Sequence, residues 1–177
     1  TSVMNMKLGG NFSGDVNMVL REEKGFTYGA RTGFSGSKFP GKFTASSGVR
    51  SNTTEESVNI FKNLMSAYRE PISGEDLAFT KNVTLKSNAR RFETLGALRG
   101  MISNIATYGL PVNYIEDQED IVRNMSVESH NALANKYIRP DEMIYLVVGD
   151  AATQLDGMKS LGFGGPILLD ANGNPVK

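Results

Sequence analysis

The sequence contains no cysteine and no tryptophan, and it has a single histidine, His130. Without cysteine, the chain can form neither a disulfide nor a thiolate metal site. A zinc site built on two histidines is excluded within this sequence, and a Ser-His-Asp triad would have to use His130. Both oxidising and reducing compartments accept a cysteine-free protein, so cysteine content leaves the compartment open.

An excess of charge of one sign is also missing. The 19 Lys and Arg residues balance the 19 Asp and Glu residues, which gives a formal net charge of zero at pH 7. General binding to nucleic acid or to anionic membranes needs an excess of positive charge, so the sequence argues against both kinds of partner. No window approaches roughly 18 consecutive apolar residues, and no membrane span is predicted.

The composition that remains is typical of a folded domain. Hydrophobic residues make up 40% of the 177 residues and charged residues 21%, and these values fit one domain with its own core over residues 1–177. The start, TSVMNMKLGG, lacks the basic segment and apolar core of a signal peptide. It begins without methionine and in the middle of a helical pattern, so we expect a partial domain, truncated at its N-terminus.

The first fifty residues predict two helical segments followed by a β-hairpin. Gly9-Gly10 ends the first segment, and the second begins near Ser13 and ends at Gly25, where a left-handed conformation suits glycine. Two strands follow at 26–35 and 42–51, joined by a glycine- and proline-containing loop. The period of two places four residues on one face of the first strand: Tyr28, Ala30, Thr32 and Phe34.

The rest of the chain is mainly helical in pattern. Thr53 and Glu56 predict a capping box, and a long helical region from Ser73 to Tyr108 should break or kink because of Gly96 and Gly100. Further helices are predicted at 116–124, 126–137 and 154–161, with an apolar buried strand at 143–148 and a final strand near 167–169. Strands at both ends with helices between them predict an α+β fold, in which helices cover one face of a mainly antiparallel sheet.

Three features could carry chemistry, and each also has a structural interpretation. His130 lies on the apolar stripe of its helix, which favours a packing role over catalysis. The acidic cluster at 116–120 could bind a cation, but it lacks the ligand spacing of a calcium loop and fits the first turn of a helix better. The glycine patch at 162–165 is followed by proline, which favours a turn over a phosphate-binding loop.

The segment LREEKGFTYGAR, at 20–31, places an arginine and a tyrosine on either side of a helix end. Gly25 lets the chain reverse, so Arg21 and Tyr28 can point into one cleft. A guanidinium offers several N–H donors and a phenol offers one O–H donor, so the pair could hold a peptide backbone or an oxyanion. From the pattern alone, a surface arginine and a packing tyrosine remain the favoured interpretation.

The longer segment LGGNFSGDVNMVLREEKGFTYGARTGF, at 8–34, resembles a signature of the pitrilysin and insulin-degrading-enzyme family, the inverzincin zinc metallopeptidases. The shared pattern is a Gly-Gly turn, a helix ending in Leu-Arg-Glu, and then Lys-Gly, an aromatic residue and Thr-Tyr-Gly. The resemblance continues more loosely through the hairpin, the helix at Thr53, SGEDL at Ser73 and IYLVVGD at 144–150, and so covers most of the chain.

The resemblance implies a particular half of such an enzyme. In this family, two similar α+β halves, of the kind also found in mitochondrial processing peptidase, enclose a peptide chamber, and one half carries the zinc motif H-x-x-E-H. This sequence has no such motif, so it resembles the non-zinc half and is expected to be inactive alone. The resemblance implies that Arg21 grips a substrate carbonyl and Tyr28 steadies the tetrahedral intermediate. No metal is expected in this chain, and zinc is expected in the catalytic half.

The resemblance leaves two classes of function open. The chain is either the substrate-binding wall of a zinc peptidase, or a non-catalytic scaffold or assembly subunit of the same family. Retention of both Arg21 and Tyr28 favours the first. The expected partners are peptide substrates and a zinc-bearing half, in the same polypeptide or a separate subunit. A homodimer through an exposed sheet edge is a further expectation. The resemblance is to bacterial members, which leaves periplasm, envelope and cytoplasm open.

Overall fold

The computed structural model describes residues 1–176, apart from the side chains at positions 89 and 91. Its two strands are β1 (Thr27–Phe34) and β2 (Phe43–Val49). The α-helices, in chain order, are α1 (Asp15–Asn17), α2 (Thr54–Ala67), α3 (Gly74–Ala89), α4 (Leu95–Tyr108), α5 (Tyr114–Arg123), α6 (Val127–Tyr137) and α7 (Ala151–Lys159). None of the helices in the described part of the chain is both long enough and apolar enough to cross a membrane.

The N-terminal region contains two stretches of wide, π-helical turns. The first covers Met6–Gly10, and Gly9 within it already has non-helical backbone angles (φ −178°, ψ 18°), so the helix stops at the two glycines, as predicted. The second, Met18–Glu23, continues α1 without a break. Gly25 ends it in a left-handed conformation with φ +61°, as predicted, and the N–H of Phe26 donates to the carbonyl oxygen of Leu20 at 2.9 Å.

The hairpin is antiparallel and lies against helices on one face. Residues Arg31 and Ser46 are partners, as are Phe34 and Phe43, and a β-bulge interrupts the register between Thr27 and Ala30. The buried cluster beneath it combines both helical segments of the N-terminal region with β1, α2 and α6: Met4, Leu8, Val16, Leu20, Ala30, Met65, Tyr68, Ala134 and Ile138. The predicted α+β class, with an antiparallel sheet and helices on one face, is confirmed.

The predicted capping box at the start of α2 is wrong. Thr53 occupies the N-cap position, but its hydroxyl donates to the carbonyl oxygen of Arg50 at 2.8 Å instead of capping the helix. Glu56 bonds to the ammonium group of Lys24 at 2.7 Å and so does not reach back. A short 3₁₀ turn, Ser51–Thr53, precedes the helix and takes up the chain reversal that the capping box would have organised.

The long helical region breaks, as predicted, but at a different place. A 3₁₀ turn at Arg90–Phe92 separates α3 from α4, and the hydroxyl of Thr94 caps the new helix by accepting the N–H of Ala97 at 3.1 Å. Gly96 and Gly100 both lie inside α4. A local hydroxyl cap therefore sets the break, and the two glycines are tolerated within the second helix.

The apolar segment 143–148 is extended but is not the buried strand that its composition predicts. No described residue forms a ladder with it, and its alternate side chains Ile144, Leu146 and Val148 are 94%, 75% and 91% exposed. The side chains between them are half-buried, and Tyr145 stacks on Phe163 with ring centroids 4.1 Å apart. The last predicted strand is reduced to a single bridge between Leu169 and Pro175.

Candidate functional site

The structure brings Arg21 and Tyr28 together at the helix-to-strand junction. Arg21 lies in the π-helical stretch, and Tyr28 is the second residue of β1. The guanidinium carbon of Arg21 lies over the phenol ring, 5.0 Å from its centroid, and 4.7 Å from the ring centroid of Phe12. Two aromatic rings therefore hold the guanidinium group through cation–π contacts, and its planar shape suits this role better than an ammonium would.

The β-bulge turns Tyr28 away from the core. Ala30 and Thr32 are buried, whereas the side chain of Tyr28 is 90% exposed, so the prediction that all three share one face is wrong. The extra residue in β1 breaks the alternation of side chains, and bulges commonly redirect a side chain in this way. No described residue bonds to the phenol hydroxyl, which leaves its O–H free to donate to a ligand.

Hydroxyl groups replace the regular ladder at the bulge. The hydroxyl oxygen of Thr27 accepts the N–H of Gly29 at 3.0 Å and donates to the carbonyl oxygen of Gly48 at 2.7 Å. Ser47 donates from its hydroxyl to the carbonyl oxygen of Gly29 at 2.9 Å. These bonds satisfy backbone groups that the bulge would otherwise leave unpaired, and they fix the backbone on both sides of Tyr28.

Two buried asparagines attach β1 to the helical segments. Asn17 accepts the N–H of Ala30 at 3.0 Å and donates to the carbonyl oxygen of Phe12 at 2.8 Å. Asn5 donates to the carbonyl oxygen of Thr32 at 3.0 Å and accepts its hydroxyl at 2.6 Å. Asn17 therefore ties together the backbone of β1 and the segment that carries Phe12, so the two sides of the cleft are positioned by one side chain.

The floor of the cleft requires glycine. A Cβ atom added at Gly9 would lie 2.6 Å from a methyl group of Val16 and 2.7 Å from the hydroxyl oxygen of Thr32. Backbone and side chains approach too closely there for any larger residue. The Gly-Gly turn, which the sequence predicted only as a helix stop, also allows the N-terminal helical segment to lie directly against β1.

The resulting cleft is open, with a volume of about 330 Å³. Its charged lining residues are Arg21 and Arg31, and no carboxylate lines it. Glu22 contacts the Nε of Arg21 at 3.3 Å from outside the lining, and no described residue bonds to the terminal guanidinium nitrogens. The arrangement offers N–H and O–H donors to a ligand with carbonyl or carboxylate oxygens, but no general base and no metal ligand.

His130 lies outside this cleft, on the buried face of α6. It is fully buried, and its Nε2 lies 3.3 Å from the hydroxyl oxygen of Tyr68, which itself donates to the carbonyl oxygen of Met4 at 2.6 Å. Its Nδ1 has no partner among the described residues. Burial lowers the pKa of His130 and raises the pKa of Tyr68, so both groups stay neutral near pH 7. The structure thus agrees with the packing interpretation.

The acidic cluster at 116–120 lies in a helix, and the glycine patch at 162–165 lies in a turn. Glu116 and Asp117 lie in the first turn of α5, and no group of His, Cys, Asp and Glu in the described residues could hold a metal ion. Gly162 and Gly164 have positive φ angles in an irregular turn, with no helix following to bind a phosphate.

Sequence reasoning missed the residues that build the cleft around the pair. Phe12 contacts the guanidinium group of Arg21, and Thr27 and Asn17 bond to the backbone of β1 beside Tyr28. The sequence analysis gave none of these three residues a role of its own. One signal was available for Asn17, because an asparagine on the apolar side of an amphipathic helix needs buried partners. The bulge had a weaker signal in Gly29, since glycine inside a strand often marks one.

Two solved structures share this fold. The chain is similar to a peptidase M16 inactive domain from Pseudomonas fluorescens, with a TM-score of 0.72 and 24% sequence identity, over 80% of this chain and 34% of that one. It is also similar to a conserved protein from Enterococcus faecalis V583, with a TM-score of 0.62 and 18% identity, over 76% of this chain and 32% of that one. No family model and no curated protein matches the sequence.

These likenesses define the class of fold. The α+β arrangement of hairpin and covering helices is that of the M16, or pitrilysin-like, fold. The chain spans about a third of the length of each solved chain that it matches, as the coverage values of 34% and 32% show.

Proposed function

We propose that this chain belongs to the substrate-binding, zinc-free half of a zinc metallopeptidase, in which Arg21 and Tyr28 contact the peptide. The observation that carries the proposal is the 5.0 Å approach of the two side chains in an open cleft, with their terminal donors unpaired among the described residues. A solvent-facing tyrosine that is 90% exposed contributes little to packing, so its position at the cleft is better explained by a ligand.

The geometry supports separate roles for the two residues. Arg21 is held between aromatic rings and presents several N–H donors, which suits it to bind a carbonyl oxygen of an extended peptide. Tyr28 presents one O–H donor from a fixed backbone, which suits it to stabilise an oxyanion that develops on the reacting carbonyl. Neither residue can act as the base, so the chain alone is expected to be inactive.

The test is peptide hydrolysis by the assembled peptidase, with its zinc-bearing half present. We expect Tyr28→Phe to lower kcat on the order of a hundredfold, because it removes a single oxyanion donor. Arg21→Ala should raise KM and lower kcat/KM, because it removes contacts made to the bound peptide. Zinc content should be unchanged in both variants, since the proposal places the zinc ligands in the other half of the peptidase.

Matched controls come from the same chain. Tyr108→Phe changes a half-exposed phenol on α4, and Arg50→Ala removes an exposed arginine that lies outside the cleft; both should retain activity. Loss of zinc from the Arg21 or Tyr28 variant would contradict the assigned roles. Unchanged turnover in both variants would contradict the proposal and would leave the scaffold alternative, in which the cleft has no substrate.

A further inference from the structure

A second arginine, Arg31, lines the same cleft as the proposed pair. It is exposed on β1, three residues after Tyr28, on the side of the strand opposite to the buried Ala30 and Thr32. Among the described residues, no carboxylate lies within ion-pair distance of its guanidinium group, whereas Glu22 partly neutralises Arg21. Arg31 is therefore the less compensated of the two positive charges at this site.

Arg31 also lines a second hollow on the hairpin. That hollow has a volume of about 590 Å³, and its polar wall comes from β2, with Ser46, Ser47 and Gly48. The four residues from Tyr28 to Arg31 line both hollows, so this stretch of β1 forms the ridge between them. A peptide that extends beyond the contacts of Arg21 and Tyr28 would cross this ridge, where its next charged group meets Arg31.

The positive charge at the ridge is local, because the whole chain has a formal net charge of zero. A guanidinium with free donors binds a carboxylate by two parallel hydrogen bonds, and it repels lysine or arginine at the same position. The neighbouring groups on β2 are hydroxyls and backbone, so nothing in the second hollow would repel an acidic ligand.

We propose that Arg31 is a specificity-determining residue that binds a carboxylate of the peptide beyond the Arg21 and Tyr28 contacts. The carboxylate is an Asp or Glu side chain or the C-terminal carboxylate, which share the same chemistry. This inference rests on the proposed function, and it adds a preference for acidic peptides that the pair by itself does not give.

The experiment compares matched peptides in the assembled peptidase. One pair differs by Glu or Gln at a single internal position, scanned along the peptide, and a second pair differs by a free or an amidated C-terminus. The wild-type enzyme should favour one acidic member by about two- to fivefold in kcat/KM, as expected of an exposed ion pair. Arg31→Gln should abolish that preference, with the loss of kcat/KM falling on the acidic member of the pair. The preference should also weaken at high salt.

The outcomes separate this inference from the proposed function. Arg50→Gln is the control, since it removes an equal charge outside both hollows and should keep the preference. If Arg21→Ala lowers hydrolysis but Arg31→Gln leaves the Glu-to-Gln and free-to-amidated ratios unchanged, the specificity role is wrong and the proposed function stands. If Arg21→Ala and Tyr28→Phe both leave peptide hydrolysis unchanged, the proposed function is wrong, and the inference about Arg31 falls with it. If Arg50→Gln also loses the preference for the acidic peptide, the preference arises from the net charge of the protein and not from Arg31, and the inference is wrong.

Discussion

Two regions of this molecule use the same apolar residue types with opposite results. In the N-terminal region, Met4, Leu8, Val16 and Leu20 are completely buried beneath the hairpin. In α4, no residue is buried, and Leu95 and Ile102 are 86% and 67% exposed. The extended segment 143–148 resembles α4 in this respect, since its outward side chains have no cover among the described residues.

The difference shows what an apolar pattern specifies. Periodicity tells which face of an element is apolar, but the element that covers that face has to be present in the same folded unit. The candidate site lies entirely on the region whose apolar face is covered. The hairpin, the wide helical turns and the two buried asparagines hold the cleft, and neither α4 nor segment 143–148 contributes a lining residue to it.

The largest expected effect comes from truncating one leucine in each region. Leu20→Ala removes a fully buried side chain from the core and should lower the free energy of unfolding by about 3 kcal/mol. Leu95→Ala, at the exposed start of α4, should change it by less than about 0.5 kcal/mol. Urea unfolding followed by circular dichroism measures both. Equal losses would mean that the apolar face of α4 is covered in solution, for example by a second copy of the chain.

Two glycine substitutions should change the stability of the fold in opposite directions. Gly9→Ala forces a methyl group against Val16 and Thr32 and should destabilise the fold by about 2 kcal/mol. Gly100→Ala, inside α4, meets open space and should stabilise it by about 0.5 kcal/mol, because alanine is the better helix former. The midpoint of thermal unfolding gives the sign of each change. A neutral Gly9→Ala variant would show that the contact between the Gly-Gly turn and β1 is looser than the distances indicate.

The smallest expected effect on the stability of the packed region comes from a change of pH. Burial lowers the pKa of His130 below its ordinary value of about 6.5, and protonation would place a second N–H donor at Nδ1 with no partner. The unfolded chain therefore takes up this proton at a higher pH than the folded chain. The contribution of neutral His130 to the free energy of unfolding should be fully present above about pH 6.5 and should be lost as the pH falls below it.

Urea midpoints measured between pH 7.5 and 5 would follow this titration, and His130→Gln supplies the variant that cannot titrate. The urea midpoint of that variant should change less with pH between 7.5 and 5 than the midpoint of the wild type, although the variant itself is less stable. An identical slope would assign the pH dependence to other groups. Helix α4 contributes no buried titratable group to this effect, so the titration reports on the packed region.

The sequence predicted the local chain path well wherever one residue type decides it. Gly25 ends a helix in a left-handed conformation, and Ser73 and Ser126 cap α3 and α6 at their predicted starts. These are short-range effects, set by the conformational freedom of glycine and by one hydroxyl acceptor. The capping box at Thr53 failed because two competing partners, the carbonyl of Arg50 and the ammonium group of Lys24, bind its two side chains.

Prediction was weaker where distant segments meet. The reversal at Gly25 allowed Arg21 and Tyr28 to meet, but the pattern alone favoured a surface arginine and a packing tyrosine. The structure places the guanidinium carbon of Arg21 5.0 Å from the centroid of the Tyr28 ring. Phe12, Asn17 and the bulge were not expected, because each depends on register between segments that are far apart in the chain. The segment 143–148 was misjudged for a related reason, since its composition fits a buried strand while its neighbours in the described chain cover only one side.

Because the chain has one histidine, the imidazole ring of His130, beside Tyr68, can serve as an intrinsic NMR probe. Its imidazole protons give a single pair of resonances, with no assignment required. They report on the junction of α2, α6 and the segment around Met4. Titrating peptide into the protein while following these signals would show whether an event at the cleft is felt in the core.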